Sequence, residues 1–151
     1  MSNSSSDALA SWDWSADLSI PSAYAAGKSV IDQLLAALRG AGWGEHEIFG
    51  VHLAVEEALV NAIRHGNGLD ENKLVRVGFR LSSERFWVEI TDEGPGFNPE
   101  GLPDPTENDH IEAPCGRGVL LMRNFMNRVE YHDGGNRVVM EKHRDEKRAS
   151  A

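Results

Sequence analysis

A carboxylate and a carboxamide four residues apart, Glu57 and Asn61, stand in the run Val51 to Asn67, Val-His-Leu-Ala-Val-Glu-Glu-Ala-Leu-Val-Asn-Ala-Ile-Arg-His-Gly-Asn. On a helix that turns about 100° per residue they point the same way from successive turns, with Arg64 beside them. Such a spacing can hold a metal or a phosphate. Glu56 lies about 100° round the rod and does not share that face. Ile48, Val51, His52, Val55, Leu59 and Ala62 gather opposite and read as a core face. Taken alone, the polar face reads more readily as solvated surface, so its neighbours decide. Asp92-Glu93-Gly94-Pro95-Gly96-Phe97 sets a carboxylate ahead of two glycines. There the backbone can approach a ligand while the carboxylate accepts hydrogen bonds, although a plain Gly-Pro turn looks the same. Cys115-Gly116-Arg117-Gly118 precedes a helical pattern, and glycines at a helix N-terminus offer free N–H groups and a positive dipole end to an anion.

Elements must hold these residues in place. The polar pair belongs to a helix from about Glu45 to His65, roughly 30 Å long at 1.5 Å per residue and closed by Gly66 and Gly68. Glu45 and Glu47 suit the positive end of its dipole, and Arg64 and His65 the negative end. Ahead of it, residues 1–10 form a Ser-rich polar tail, and Trp12, Trp14, Leu18 and Ile20 suggest a first strand ended by Pro21. A helix is expected over Ser22 to Leu38, where apolar residues recur at three and four until Gly40 and Gly42. Beyond the polar pair, Val75 to Leu81 and Phe86 to Ile90 alternate as a hairpin that runs into Asp92. Residues 97–115 are Pro-rich with little periodicity, the signature of a lid or binding loop. A helix follows through Val119, Leu120, Met122, Phe125 and Met126, then a second hairpin, Arg128 to His132 and Arg137 to Lys142, turning at Asp133-Gly134-Gly135-Asn136. Residues 144–151 read as a charged, frayed tail. The expected fold is one α/β domain over residues 11–143, a two-layer sandwich with a mixed, mainly antiparallel sheet.

Composition narrows the classes. A chain of 151 residues, 40% hydrophobic and 26% charged, suits one globular domain with its own core. No apolar run approaches the ~20 residues needed to cross a bilayer, so no membrane partner is expected. The first residues lack the basic and apolar regions of a secretory signal, and the single cysteine, Cys115, fits a reducing compartment. A cytoplasmic protein is expected. A formal charge of −9 argues against direct nucleic-acid binding, which needs clustered Lys and Arg. A nucleotide, if bound, is held in a local site. Neither glycine cluster completes a dinucleotide fingerprint, and no zinc-ligand spacing occurs. His143-Arg144-Asp145 lacks the companion motifs of a eukaryotic-type kinase.

In chain order, Glu57-Ala-Leu-Val-Asn61-Ala-Ile-Arg-His65-Gly66-Asn67, Asp92-Glu-Gly94-Pro-Gly96 and Gly116-Arg-Gly118 resemble the N, G1 and G2 boxes of a known ATP-binding fold. That fold, also called GHKL or Bergerat-type, is shared by gyrase, the ninety-kilodalton heat-shock chaperone, histidine kinases and the mismatch-repair ATPases. Small size and the run Glu-Ala-x-x-Asn-Ala-x-x-His-Gly are most similar to the anti-sigma-factor serine/threonine kinases, over roughly residues 20–142. The resemblance implies a histidine-kinase-like ATPase domain that binds ATP and Mg²⁺. It further implies a sigma factor and a STAS-type anti-anti-sigma protein as partners, the second phosphorylated on serine, and a possible homodimer. By the same likeness, Glu57 is the general base, Asn61 the Mg²⁺ ligand, and Asp92 the acceptor of the adenine amino group. Gly94 and Gly96 leave room for the base, Gly116 and Gly118 bring N–H groups to the phosphates, and Arg64, His65 and Arg117 complete the nucleotide site. Two departures stand out. Pro114 and Cys115 occupy the place where some of these kinases carry arginine, so the γ-phosphate contact falls to Arg117 or elsewhere, and an ATP-binding module without kinase activity remains an alternative. A Gly-Thr pair near the last hairpin becomes Gly135-Asn136, which alters a side-chain link to adenine.

Overall fold

The computed structural model of the protein describes residues 12–95 and 116–144. Strand β1 (Trp14–Pro21) leads to helices α1 (Tyr24–Gly40) and α2 (Glu45–Val60), and a π-helical turn (Asn61–Gly66) extends α2. Strands β2 (Leu74–Leu81) and β3 (Arg85–Thr91), helix α3 (Gly116–Phe125), strand β4 (Arg128–His132) and strand β5 (Arg137–His143) follow. The sheet order is β1-β2-β3-β5-β4, and every ladder is antiparallel. The two-layer α/β sandwich is therefore as expected, but the mixed character is not found among the described residues. The expected tail 1–10, the lid 97–115 and residues 145–151 lie outside them, as do Gly96, Pro114 and Cys115.

Alternation decides which face of the sheet meets the helices, because successive strand side chains point to opposite sides. Val75, Val77, Phe79 and Leu81 of β2 and Phe86, Val88 and Ile90 of β3 are buried against the helical layer. Phe79 anchors the centre, stacking on Trp14 at 5.8 Å and tilting against Phe86 at 5.9 Å between ring centroids. Each such ring or large aliphatic chain, once buried, contributes about 1.5–3 kcal/mol. From the helical side come Val30, Ile31, Leu34 and Leu38 of α1 and Ile48, Val51, Val55 and Leu59 of α2. The opposite sheet face carries ion pairs instead: Arg80 meets Asp17 at 3.1 Å, and Arg137 meets Glu89 at 2.6 Å and Asp133 at 2.9 Å.

Helix α2 lies between α1 and α3. Gly50 lets α3 close on it, since a Cβ there would stand 2.9 Å from the Phe125 ring. Three local expectations change. The helix expected to run unbroken to His65 ends as α-helix at Val60, and Asn61–Gly66 form the π turn. There the Asn67 N–H donates to the Ala62 carbonyl five residues back, at 2.9 Å. The wider turn buries Ala62 and Ile63 together. His52, expected on the core face, is only partly covered and stands 3.6 Å from the Glu56 carboxylate at the flank next to α1. Glu47 lies in the first turn of α2, as the dipole reading expects, and is in addition only 4% exposed and 3.9 Å from the Arg144 guanidinium. Arg144 itself is docked rather than frayed. Its N–H donates to the Glu84 carbonyl at 2.9 Å, and its guanidinium donates to the Gly42 carbonyl at 2.7 Å and the Ser83 carbonyl at 3.2 Å.

Candidate functional site

Glu57 in the last turn of α2 and Asn61 at the start of the π turn face the beginning of α3. Gly118 is the point of contact. A Cβ on it would lie 2.7 Å from Glu57 Oε1 and 3.2 Å from Asn61 Nδ2, so no larger residue fits without displacing both. The second glycine box and the polar face of α2 thus form one cluster, as the sequence suggested. Glu57 is partly buried, and burial, aided by the negative charge of Glu56, raises its pKa above the ordinary 4.5. Asn61 Nδ2 is buried and has no hydrogen-bond partner among the described residues. A buried amide donor left idle costs about 1–3 kcal/mol, so this amide has bonding capacity that the fold itself does not use.

Asp92 sits just past the end of β3, against the π turn. A Cβ on Gly66 would overlap its carboxylate, and a Cβ on Gly94 would overlap the Gly66 carbonyl. Gly94 demands glycine because the carbonyl it would meet is backbone, and at Gly66 any side chain would push the Asp92 carboxylate aside. The Gly94 N–H donates to Asp92 Oδ1 at 2.7 Å. Burial nevertheless pushes the Asp92 pKa up, with that N–H pulling the other way. The backbone of Asp92 is fixed as well. Its N–H donates to the Asn136 carbonyl at 2.9 Å, and Asn136 Nδ2 donates to the Asp92 carbonyl at 3.3 Å. Asn136 Oδ1 is buried with no partner among the described residues. So the residue that departs from the Gly-Thr pattern does stand beside Asp92.

The remaining candidates are less closely drawn in. Arg64 and His65 are exposed on the π turn. Burial and the Arg64 charge lower the His65 pKa below 6.5. Gly116 and Arg117 open α3, and Gly96 falls outside the described residues. Asn67 closes the N box segment, and nothing in the sequence assigns it a role. In the fold it is 3% exposed and hydrogen-bonded to the loop after Asp92. A separate groove of about 590 Å³ opens between α1 and α2, lined by Tyr24, Ile31, Leu35, Leu59 and Ile63 among others. Glu56 and His52 border it, whereas Glu57, Asn61 and Asp92 do not, so it is distinct from the cluster.

A carboxylate with a raised pKa, an amide with spare bonding capacity and the glycine-led start of a helix make one polar cluster at the start of the π turn. A second carboxylate, packed on Gly66 and bonded to the Gly94 N–H, makes another at the end of that turn. Comparison with known proteins shows the family. The family model described as a histidine kinase-like ATPase domain matches residues 20–142. An anti-sigma F factor of Clostridium perfringens is 30% identical over 103 residues, covering 64% of this chain and 72% of that one. A serine-protein kinase RsbW of Listeria monocytogenes is 29% identical over 114 residues, covering 71% and 73%. Among solved structures, that of the RsbU and RsbW domains of Rv1364c from Mycobacterium tuberculosis matches with a TM-score of 0.60 and 17% identity. The match covers 87% of this chain and 32% of that one, and at this identity it speaks for the fold alone.

Proposed function

Because the chain belongs to the histidine kinase-like ATPase domain family, we propose that it is an ATP-dependent protein serine kinase and anti-sigma factor working by partner switching. The γ-phosphate of ATP passes to a serine of a STAS-type anti-anti-sigma protein, and the same chain holds a sigma factor when that protein is phosphorylated. The setting is cytoplasmic. The observation that carries this reading is the seating of Gly118 on both Glu57 and Asn61, with Asp92 clasped by Gly66 and Gly94 one helical turn further along. The names of the anti-sigma F factor and serine-protein kinase relatives support it.

The residues present fit Mg²⁺ and ATP. The idle Asn61 Nδ2 is a donor that suits a phosphate oxygen, and Gly118 seats the start of α3 directly beside it. Asn61 would ligate the Mg²⁺ through its amide oxygen, and the metal supplies charge neutralisation across the phosphates. Asp92 accepts a hydrogen bond from the adenine amino group, with Gly96 leaving the ring room; Gly94, expected to do the same, instead makes room for the Gly66 carbonyl, which a Cβ there would overlap. Gly116 and Gly118 turn backbone N–H groups toward the phosphates, and Arg117 is the proposed γ-phosphate contact. Glu57 takes the proton from the serine hydroxyl as its oxygen bonds to the γ-phosphorus and the bond to the β-phosphate oxygen breaks, releasing ADP. Phosphoryl transfer asks mainly for this positioning and charge balance.

Pro114 and Cys115, standing where some of these kinases carry arginine, favour a second reading, an ATP-binding module that sequesters its partner without phosphorylating it. Incubation with γ-labelled ATP, Mg²⁺ and a STAS-type protein, followed by mass spectrometry, separates the two. Label on a partner serine is expected. ATP binding by calorimetry with no label on the partner would overturn the kinase reading and leave the module.

A further inference from the structure

Asn67 lies where four segments meet, and its side chain bonds to three of them. Its Oδ1 accepts from the Glu93 N–H at 2.7 Å. Its Nδ2 donates to Ser22 Oγ at 2.9 Å and to the Leu74 carbonyl at 3.0 Å. Ser22 is fully buried before α1 and donates in turn to the Lys73 carbonyl at 2.7 Å. Glu93 closes the ring by accepting the Leu74 N–H through Oε2 at 2.5 Å. One amide thus joins the end of the π turn to the entry of α1, the start of β2 and the loop that follows Asp92. Its Oδ1 acts on the residue directly after Asp92, while its Nδ2 bonds serve the scaffold.

We propose that Asn67 is a positioning residue for recognition of the nucleobase, holding the Asp92 loop through the Glu93 N–H so that the carboxylate stays against Gly66. The inference rests on the reading that Asp92 takes the base. A fixed carboxylate accepts from an exocyclic amino group and repels a carbonyl oxygen at the same place, so it separates adenine from guanine by sign of dipole. That separation needs the acceptor to stay put. Without Asn67 the Glu93 N–H loses its partner, the loop gains freedom, and Asp92 is free to turn toward water. Adenine then loses its aligned acceptor, and guanine no longer meets a rigid repulsion.

The test is the ratio of ATP to GTP affinity, measured by calorimetry on the full chain with Mg²⁺. For Asn67→Ala we expect ATP affinity to fall about tenfold and GTP affinity to change little, so that the ratio shrinks by about the same factor. Asn67→Asp keeps an acceptor for the Glu93 N–H and gives up both donors, so the ratio is expected to hold although the Tm falls. Ser22→Ala weakens only the scaffold arm, and here too the ratio is expected to hold while the Tm falls. Should Asn67→Ala fail to fold, Asn67→Asp and amide hydrogen exchange of the unaltered protein decide. The Glu93 amide is expected to be protected before any nucleotide is added. A folded Asn67→Ala protein with the normal ratio, loss of the ratio in Asn67→Asp, or a Glu93 amide exchanging like a free loop would each overturn the role. Asp92→Ala in the same assay separates the premise from the inference: normal ATP affinity there overturns the base reading, and with it the role given to Asn67. Weakened ATP binding in Asp92→Ala beside a normal ratio in Asn67→Ala overturns the inference alone.

Discussion

The two ends of the site differ in how far the fold has finished them. At the Asp92 end, the N–H groups of Asp92, Glu93 and Gly94 and both polar atoms of the Asn67 amide have partners. Among the described residues the one buried exception is Asn136 Oδ1. At the Glu57 end the balance reverses. Asn61 Nδ2 is buried without a partner, and Glu57 shows no hydrogen bond or ion pair among the described residues while burial raises its pKa. A rigid base that is always the same molecule can be met by a prearranged acceptor. A phosphate chain that changes during the reaction is better met by groups still free to bond to it, because interactions that form only in the transition state are those that accelerate transfer. The fold completes its own bonding at one end and leaves bonding capacity at the other.

Substitutions that strike one end only should separate these contributions. The largest effect is expected from Glu57→Gln, which keeps the shape and removes the base. Phosphotransfer to the partner should fall roughly 10²–10⁴-fold, with nucleotide affinity unchanged in calorimetry. Gly94→Ala breaks the other end. Its Cβ meets the Gly66 carbonyl, a backbone atom that cannot swing aside. Overpacking of this kind costs about 1–3 kcal/mol, or roughly 2–4 °C of Tm per kcal/mol in a domain of this size, and thermal denaturation should show the loss together with weakened ATP binding. Gly118→Ala sharpens the contrast, because its Cβ meets the mobile ends of Glu57 and Asn61. We expect Tm to move by only about 1–2 °C while phosphotransfer drops by about 10–100-fold, the cost of misplacing reacting groups. The smallest effect concerns pH. A general base works when ionised, so the rate should fall as pH drops through the Glu57 pKa, which lies above the usual carboxylate value. Glu56→Gln removes the like charge that helps to raise it. The acidic limb of the pH–rate profile should therefore move to lower pH, by less than about one unit because burial is the larger cause.

Much of this was legible in the chain. Strict alternation in Val75 to Leu81 and Phe86 to Ile90 announces a half-buried hairpin, and the structure pairs these segments in that register. The spacing of Glu57 and Asn61 placed both on one face, and Gly118 meets them there. Other features depend on segments far apart in sequence. Glu47 is buried because Arg144 returns from the end of β5, which no local pattern records. His52 occupies a core phase of α2 but finds Glu56 and the rim of a groove, since helical phase says where a side chain points and not what covers it. Asn67 looks like turn filler until Ser22, Leu74 and Glu93 are brought around it.

The π turn at Asn61–Gly66 has a consequence for how the chain tolerates change in length. A π turn is in effect an α-helix with one residue too many, accommodated as a bulge rather than expelled. Deleting a single residue there leaves a perfectly good helix, yet it rotates everything downstream by about 100° and carries Gly66 away from Asp92. The gain or loss of one codon at this place is thus more damaging than many exchanges of one amino acid for another, and the distance between the two ends of the site is inherited as a count of residues.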